Sequence, residues 1–523
     1  MPIKNLQNKA LLASVFFTGA AVLVVEIVAI RVLSPYFGNT IYTTSSVIGT
    51  ILGALSLGYY VGGKNADKYP YYQAFYGIIA VSGILVMGVH LLRGALPMLS
   101  LLFSLDTGPL VSSVLLFFVP AFCLGTLSPF AIKLNSSSTD YPLPTTHSQI
   151  GSQSGQVFFW STLGSIAGSL ATGFFLIPRF GIAGIILGTG TILAVWGCVG
   201  LFYYALPAGR QAANRKVLFA ICSVLLAILV FLWLGAATAR KDLAVIPGMA
   251  LTQNLELIYE KDGVYEKIRV AEGEWEGKPA RFLFQDRSFS AAMFLHSDEL
   301  VYDYSKYYSL YRLAKPEATR ALVIGGGAYS IPKALLADSP DMRVDVSEIE
   351  PGLYDLSKTY FNLKENPRLA NYIQDGRQLL RKNTTAYDTI FSDVYFSLFS
   401  VPQQFTTREF FELARSRLTE NGVFMGNFIG YLGGSQPSFI NSEIKTFQQT
   451  FPNSYFFAVN SPSSTVSQNI IFMGINGTKK PALGGALTEK LIDTGSIDLA
   501  ANYELTDNFA PVDYLAGKAM QQW

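Results

Sequence analysis

The sequence predicts a multi-pass α-helical membrane domain followed by an α/β domain that a small antiparallel β unit introduces. Three observations carry this. Of the 523 residues, 50% are hydrophobic and only 15% are charged, a balance too apolar for a soluble globular chain. The charge is also uneven: 13 of the 39 Lys and Arg, but only four of the 37 acids, precede residue 242. The first part is therefore +9 and the remainder about −7. Finally, from residue 318 onward short apolar strands alternate with helical patterns, the signature of a doubly wound parallel sheet. The expected organisation is a transmembrane domain at 1–241, a β unit at 242–317 and an α/β domain at 318–523.

In the first part, apolar segments run roughly over 10–34, 42–63, 71–92, 108–132, 156–178, 182–205 and 217–237. Each is long enough to cross about 30 Å of hydrocarbon at 1.5 Å per residue, so about seven helices are expected. The first is too long, and carries Glu26 and Arg31, to read as a cleaved signal peptide. The stretch 91–105 is the place where a half-helix would change the count. Gly49 with Gly53, Gly164 with Gly168, and Gly184 with Gly188 are small-residue pairs that permit close helix packing in lipid. Eight Lys and Arg on the N-terminal side of the seven-helix topology, against five on the other, favour a cytoplasmic N-terminus. An odd number of crossings would then face the second part outward. Cys123, Cys198 and Cys222 all fall within expected helices and form no disulfide framework.

The second part opens with "LELIYEKDGVYEKIRVAEGEWEGKPARFLFQDRSFSAAMF", in which apolar and polar residues alternate around turns at Asp262-Gly263 and Glu276-Gly277. The alternating region follows: "ALVIGGG", a helix over 331–338, "MRVDVSEIE", a helix from Pro351, "ANYIQDG", "YDTIFSD" and a helix from Thr406. Ligands of such sheets bind outside the carboxyl ends of the strands. Those ends carry Gly325, Gly326 and Gly327, then Glu348, then Asp375 with Gly376, then Asp393. Glycines between strand and helix let a ligand approach the backbone, with helix N–H groups facing it. Glu348 suits ribose hydroxyls, Asp375 an exocyclic amine, and Asp393 a substrate amine ahead of it. A single histidine, His296, and no cysteine in this half argue against a hydrolase. Its negative charge argues against nucleic acid, and no metal is expected.

Together, "ALVIGGG", "VDVSEIEP", "IQDGRQLL", "YDTIFSD" and "TTREFFELARSRLTENGVF" resemble the spermidine synthase family of polyamine aminopropyltransferases over about residues 251–475. With its helical half, the whole chain resembles bacterial proteins that fuse a transporter-like region to a spermidine synthase. The loop "GGKNADKYP" is similar to the loop after the second helix of major facilitator transporters. The resemblance implies a class I methyltransferase-like, Rossmann-like fold and transfer of an aminopropyl group from decarboxylated S-adenosylmethionine to an amine. Gly325, Gly326 and Gly327 would line the methionine-derived part, Glu348 the ribose, and Asp375 with Gly376 the adenine. Asp393 matches the catalytic aspartate, and Tyr265, Glu266, Tyr302 and Tyr395 belong to the amine pocket. It further implies a bacterial inner-membrane protein, a small-molecule amine acceptor, a lipid bilayer around the helices and a homodimer. A cytosolic donor places the second part in the cytoplasm, against the charge count.

The chain departs from the family at two places. Ala328 stands where the family keeps an aspartate that holds the aminopropyl amine, and Phe396 where a second acid follows the catalytic one. Glu266 stands where glutamine is usual. Loss of the acid at 328 favours a ligand that keeps its carboxylate, so an S-adenosylmethionine-dependent methyltransferase is an alternative reading. A non-catalytic ligand sensor or transporter-like protein is a third.

Overall fold

A computed structural model describes residues 2–104, 106–137, 148–204, 255–395, 401–432, 437–464 and 466–520. The chain divides into two compact units, Met1–Ala244 and Val245–Trp523. Among the described residues of the first unit, six helices are long and apolar enough to cross a membrane: α1 (Gln7–Phe37), α2 (Ile41–Lys68), α3 (Tyr72–Leu102), α4 (Gly108–Ser136), α5 (Gly151–Arg179) and α6 (Ile182–Tyr204). They match the first six expected segments, and the seventh, 217–237, lies outside the described residues. Within 91–104 a short helix, Leu96–Leu102, does form, but it belongs to the same span as the preceding helix and adds no crossing. There α3 continues through a 3-10 turn at Arg93–Ala95 to Leu102.

Lipid tails are as apolar as leucine, so helices in a membrane associate through close packing and polar links rather than through hydrophobic burial. The glycines show where this happens. A Cβ on Gly164 would lie 2.0 Å from the Phe16 carbonyl oxygen of α1, and one on Gly168 2.4 Å from that of Ala20. Between α2 and α4, Gly62 leaves 2.6 Å to the Thr126 Cα, and between α3 and α6, Gly197 leaves 2.4 Å to the Ala80 nitrogen. Gly49, Gly53, Gly184 and Gly188, expected to pack in the same way, face open space. Their spacing is right, but the packed faces of α2 and α6 are turned elsewhere. Polar side chains add links: Trp196 Nε1 donates to Ser14 Oγ at 2.9 Å, and Thr50 and Ser113 share a hydrogen bond of 2.7 Å.

In the second unit, β1 (Glu256–Asp262), β2 (Lys267–Trp275), β3 (Lys278–Gln285) and β4 (Ser288–Phe294) form an antiparallel meander. Glu276 and Gly277 join β2 to β3 with φ of 51° and 75°, the hairpin geometry that follows the strand twist. The larger sheet contains β5 (Arg320–Ile324), β6 (Arg343–Glu348), β7 (Leu369–Ile373), β8 (Tyr387–Ser392), β9 (Leu418–Gly430), β10 (Ser454–Ala458) and β11 (Gln468–Ile475). Its order is β10-β11-β9-β8-β5-β6-β7, parallel from β9 to β7, with β11 antiparallel to both neighbours. This is the mixed sheet of a class I methyltransferase-like, Rossmann-like domain.

Both faces of that sheet are covered, which is why its strands are nearly continuous apolar runs. Along β5, Leu322 and Ile324 enter one core and Ala321 and Val323 the other. Helices α7 (Ser330–Asp338), α8 (Leu353–Tyr360), α9 (Gly376–Lys382), α10 (Arg408–Ser416) and α11 (Phe439–Thr450) follow β5 to β9 in turn. The chain leaves β5 toward β6 and β7 on one side and returns to β8 and β9 on the other. The carboxyl ends of β5 and β8 thus flank the point where strand order reverses, where such sheets take ligands.

Two outcomes follow from the packing. Gly164→Leu is expected to lower the thermal midpoint and the yield of folded protein, at a cost of about 1–3 kcal/mol or more for forced overpacking. Gly184→Leu, facing open space, should leave both unchanged when measured on the full chain in detergent. On α11, Glu443 is fully buried, and burial pushes its carboxyl well above the usual value of 4.5, with the neighbouring Thr406 hydroxyl acting in the opposite direction. The fold therefore holds a proton that the unfolded chain releases near that value. The associated stability is complete below it and is lost as pH rises through the folded pKa. Glu443→Gln should raise the thermal midpoint at pH 8 by the equivalent of about 1–3 kcal/mol, and by much less at pH 5.

Candidate functional site

A cavity of about 420 Å³ opens at the carboxyl edge of the large sheet, and all eleven expected site residues line it. Its first wall is the glycine turn after β5. Gly325 has φ of 91°, and a Cβ there would lie 2.2 Å from the Asp393 carbonyl oxygen, so only glycine lets the two strand ends pass. The three glycines do not offer free N–H groups to a ligand, as the sequence led one to expect. Gly325 N–H donates to the Ser347 carbonyl at 2.9 Å and Tyr329 N–H to that of Gly326 at 2.7 Å. Gly326 and Gly327 N–H both donate to Glu348 Oε2, at 2.8 and 3.2 Å. The strand-end carboxylate has taken the place that an anionic ligand would occupy. Ala328 and Tyr329 continue the turn as buried apolar surface, with the Tyr329 hydroxyl donating to Asn371.

Glu348 also accepts the Glu350 N–H on Oε1 at 2.8 Å. Burial pushes its carboxyl up, and these three N–H groups hold it back. Its remaining lone-pair positions leave room for a hydroxyl donor. Two residues on, Glu350 accepts the N–H groups of Val264 and Tyr265, at 3.2 and 2.8 Å. One strand end thus grips both the glycine turn and the β1–β2 turn that carries Tyr265 and Glu266. Asp375 caps α9, accepting the Gln378 N–H at 2.9 Å on one oxygen, while the other accepts no hydrogen bond from a described residue. Gly376 packs on β5, where a Cβ would come within 2.2 Å of Ile324 Cγ2.

Asp393 follows β8 beside the glycine turn, held at its backbone by a hydrogen bond from its N–H to the Ile324 carbonyl at 2.9 Å. Its carboxylate receives Tyr304 Oη on one oxygen at 3.0 Å and Asn427 Nδ2 on the other at 2.9 Å. Asn469 Nδ2 in turn donates to Asn427 Oδ1 at 2.9 Å, fixing the amide orientation. Burial pushes the Asp393 carboxyl up, and the Asn427 and Tyr304 bonds oppose the rise. Burial and the Asp393 charge push the Tyr304 phenol far above its ordinary value, so it stays protonated and acts as a donor. Tyr302 lies almost parallel to Tyr304, with ring centroids 6.1 Å apart, and Trp275 meets it edge-on at 5.4 Å. The Tyr302 hydroxyl is buried without a partner among the described residues. Tyr395 Oη accepts the Ile429 N–H, and Tyr265, 40% exposed, stands at the mouth. Phe396 lies outside the described residues.

Tyr304, Asn427, Glu350 and Gln285 were not anticipated as site residues. Asn427 had a legible signal, an amide inside the apolar run "VFMGNFIG" of a central strand. Glu350 and Tyr304 carried none, because their partners are 86 and 89 residues away in sequence.

The cavity has a pronounced charge bias. Its lining includes Glu266, Glu276, Asp303, Glu348, Glu350, Asp375 and Asp393, and no Lys, Arg or His among the described residues. Residues 309–481 match the spermine/spermidine synthase domain. The C-terminal region carries that domain. It spans every strand of the large sheet and every strand-end site residue, whereas Tyr265, Glu266 and Tyr302 precede it. The chain is 25% identical over 222 residues to a polyamine aminopropyltransferase of Vibrio vulnificus, covering 39% of this chain and 72% of that protein. A polyamine aminopropyltransferase of Corynebacterium efficiens is 25% identical over 424 residues, covering 79% of this chain and 75% of that protein. That match is longer than the second unit and so reaches into the helical one. Among solved structures, a probable spermidine synthase from Corynebacterium glutamicum is similar at 21% identity and a TM-score of 0.39, over 50% of this chain and 94% of that one.

The Tyr304 bond favours ionised Asp393, so Tyr304→Phe should raise the Asp393 pKa. Infrared titration of the carboxyl band, with Asp393→Asn as the blank, checks this. An unshifted band would mean that Tyr304 does not tune the acid.

Proposed function

We propose that this protein is a membrane-anchored aminopropyltransferase that moves the aminopropyl group of decarboxylated S-adenosylmethionine to a small amine. The observation that carries this reading is the cavity's charge. Seven carboxyl groups and no basic side chain among the described lining residues suit ligands that are cationic and lack a carboxylate. The glycine turn supports the same choice, since its N–H groups are already taken by Glu348 and the backbone. Intact S-adenosylmethionine would bring an α-carboxylate into a site whose described lining has no basic side chain to receive it. The substitution of Ala at 328 favours the methyltransferase reading, but one missing acid leaves the cavity strongly negative.

In the proposed reaction Glu348 and Asp375 hold the nucleoside, and Tyr265, Tyr302 and Tyr395 wall the acceptor side, where aromatic faces attract an ammonium ion. The sulfonium is an activated leaving group. The acceptor nitrogen forms a bond to the carbon beside sulfur, the carbon–sulfur bond breaks toward sulfur, and neutral methylthioadenosine departs. The nitrogen must shed a proton, and Asp393 is suited to take it because burial raises its basicity. Tyr304 and Asn427 keep that carboxylate aimed. Positioning supplies much of the remaining acceleration.

Calorimetry on the full chain in nanodiscs tests the reading. Decarboxylated S-adenosylmethionine and methylthioadenosine should bind, and intact S-adenosylmethionine should bind at least about tenfold more weakly, as for a buried carboxylate with no partner. Tighter binding of the intact form, or methyl transfer, would overturn the proposal. Asp393→Asn should reduce turnover by about 10² to 10⁴ with affinity little changed. Glu348→Gln should weaken affinity, because its amide would confront N–H donors. A cytosolic donor also requires that a reporter fused after Trp523 read as cytoplasmic.

A further inference from the structure

We propose that a second cleft in the C-terminal unit binds a small organic anion through its phosphate or carboxylate group, at a site separate from the large cavity and independent of the transferase reading. The cleft, of about 350 Å³, lies between the loop after β4, one side of α7 and the segment that joins α8 to β7. Lys333, Lys364 and Arg368 line it, whereas the large cavity has no basic side chain in its described lining. Ala292 and Ser330 line both spaces, with the Ser330 hydroxyl 3.4 Å from the Ala292 carbonyl oxygen, and so form part of the partition between them.

The three cations are positioned without being neutralised. The Arg368 guanidinium donates to the carbonyls of Leu336, Ser339 and Met342 at 2.8 to 3.2 Å, closing the C-terminal end of α7. Lys333, part-buried on α7, donates to the Phe361 carbonyl at 2.6 Å and approaches Met293 Sδ at 3.5 Å. Neither partner carries a charge. Burial pushes the Lys333 ammonium below its ordinary value, and the Asp298 charge opposes the fall. Lys364 is exposed and bonds to no described residue. Two carboxylates share the lining, Asp298 and Glu299, both exposed. Neither comes within ion-pair distance of these three cations, and Glu299 is paired instead with Lys278, outside the cleft, at 3.4 Å.

The cleft therefore has an excess of positive charge, three cations against one carboxylate not already paired elsewhere. A partly desolvated ammonium with only neutral acceptors has lost hydration without gaining a counter-charge, a cost that a bound anion removes. The rest of the lining describes the remainder of the ligand. Asn366 Oδ1 accepts the Arg368 N–H at 2.9 Å, which leaves its Nδ2 to donate. Met293, Leu300 and Leu363 supply apolar surface. A cleft of this size, with apolar walls and a few polar groups, is of the kind that small organic ligands fill. The anionic head meets the lysines and the body meets the apolar wall.

Titration calorimetry on the full chain in nanodiscs of zwitterionic lipid, with inorganic phosphate and malonate as probes, tests this. At least one probe should bind saturably, with a dissociation constant of about 1 mM or lower. Lys333→Met keeps the apolar stem and removes the charge, and Lys364→Glu reverses an exposed charge without touching the core. Each should weaken that probe by roughly 10- to 100-fold, the scale of a lost charge-assisted hydrogen bond. Lys480→Glu, a reversal at an exposed lysine outside the cleft, should leave it unchanged. Methylthioadenosine should not displace the probe. If Lys333→Met fails to fold by circular dichroism, Lys364→Glu decides alone. Wild-type protein that binds neither probe saturably overturns the proposal. Equal affinity in wild type and Lys364→Glu would mean adventitious surface binding and overturn it, as would displacement by methylthioadenosine, which would put the probe in the large cavity.

Discussion

The carboxyl edge of the large sheet depends on one interaction, the acceptance of three backbone N–H groups by the Glu348 carboxylate. A glycine turn with φ of 91° at Gly325 and 51° at Gly327 is conformationally expensive to order, since glycine loses the most freedom on folding. Charge-assisted bonds from the next strand offset that cost. They also consume the amides that make such turns anion sites elsewhere. With Glu350 two residues later holding the β1–β2 turn, the end of β6 determines where the glycine turn and the β unit meet the cavity.

Charge follows from that arrangement. Two carboxylates at the end of β6, Glu266 beside them and Asp393 at the end of β8 line a low-dielectric space, with no basic side chain in the described lining. Like charges held close in a protein interior cannot all remain ionised without a partner. The fold thus keeps acids in an unfavourable environment, which a cationic ligand would relieve. The hydrogen bonds from Tyr304 and Asn427 temper this at Asp393.

The helical unit is organised by a different constraint. Without a hydrophobic drive between helices, contact is made where backbones approach most closely, at Gly164 and Gly168 against α1 and at Gly62 against α4. Large apolar side chains such as Phe158 and Phe174 remain exposed on α5. Glycine spacing alone does not distinguish the two situations. Gly184 and Gly188 have the same spacing as Gly164 and Gly168 and touch nothing.

The sequence by itself determined the elements and their order. Long apolar segments required helices, continuous short apolar runs required a doubly covered sheet, and strand-end glycines and acids marked the carboxyl edge. These are local properties, set by periodicity and by chain stiffness within about twenty residues. Asn427 was legible in the same way, as a polar residue where the strand pattern calls for an apolar one. Tertiary structure alone decided what each of those groups touches. That Glu348 binds the glycine turn, that Glu350 reaches the β unit, and that Tyr304 supports Asp393 are contacts between residues 22 to 89 positions apart. Hydrogen-bond partners and buried charges depend on distances of a few ångströms between segments, and the spacing of residues along the chain carries no record of them.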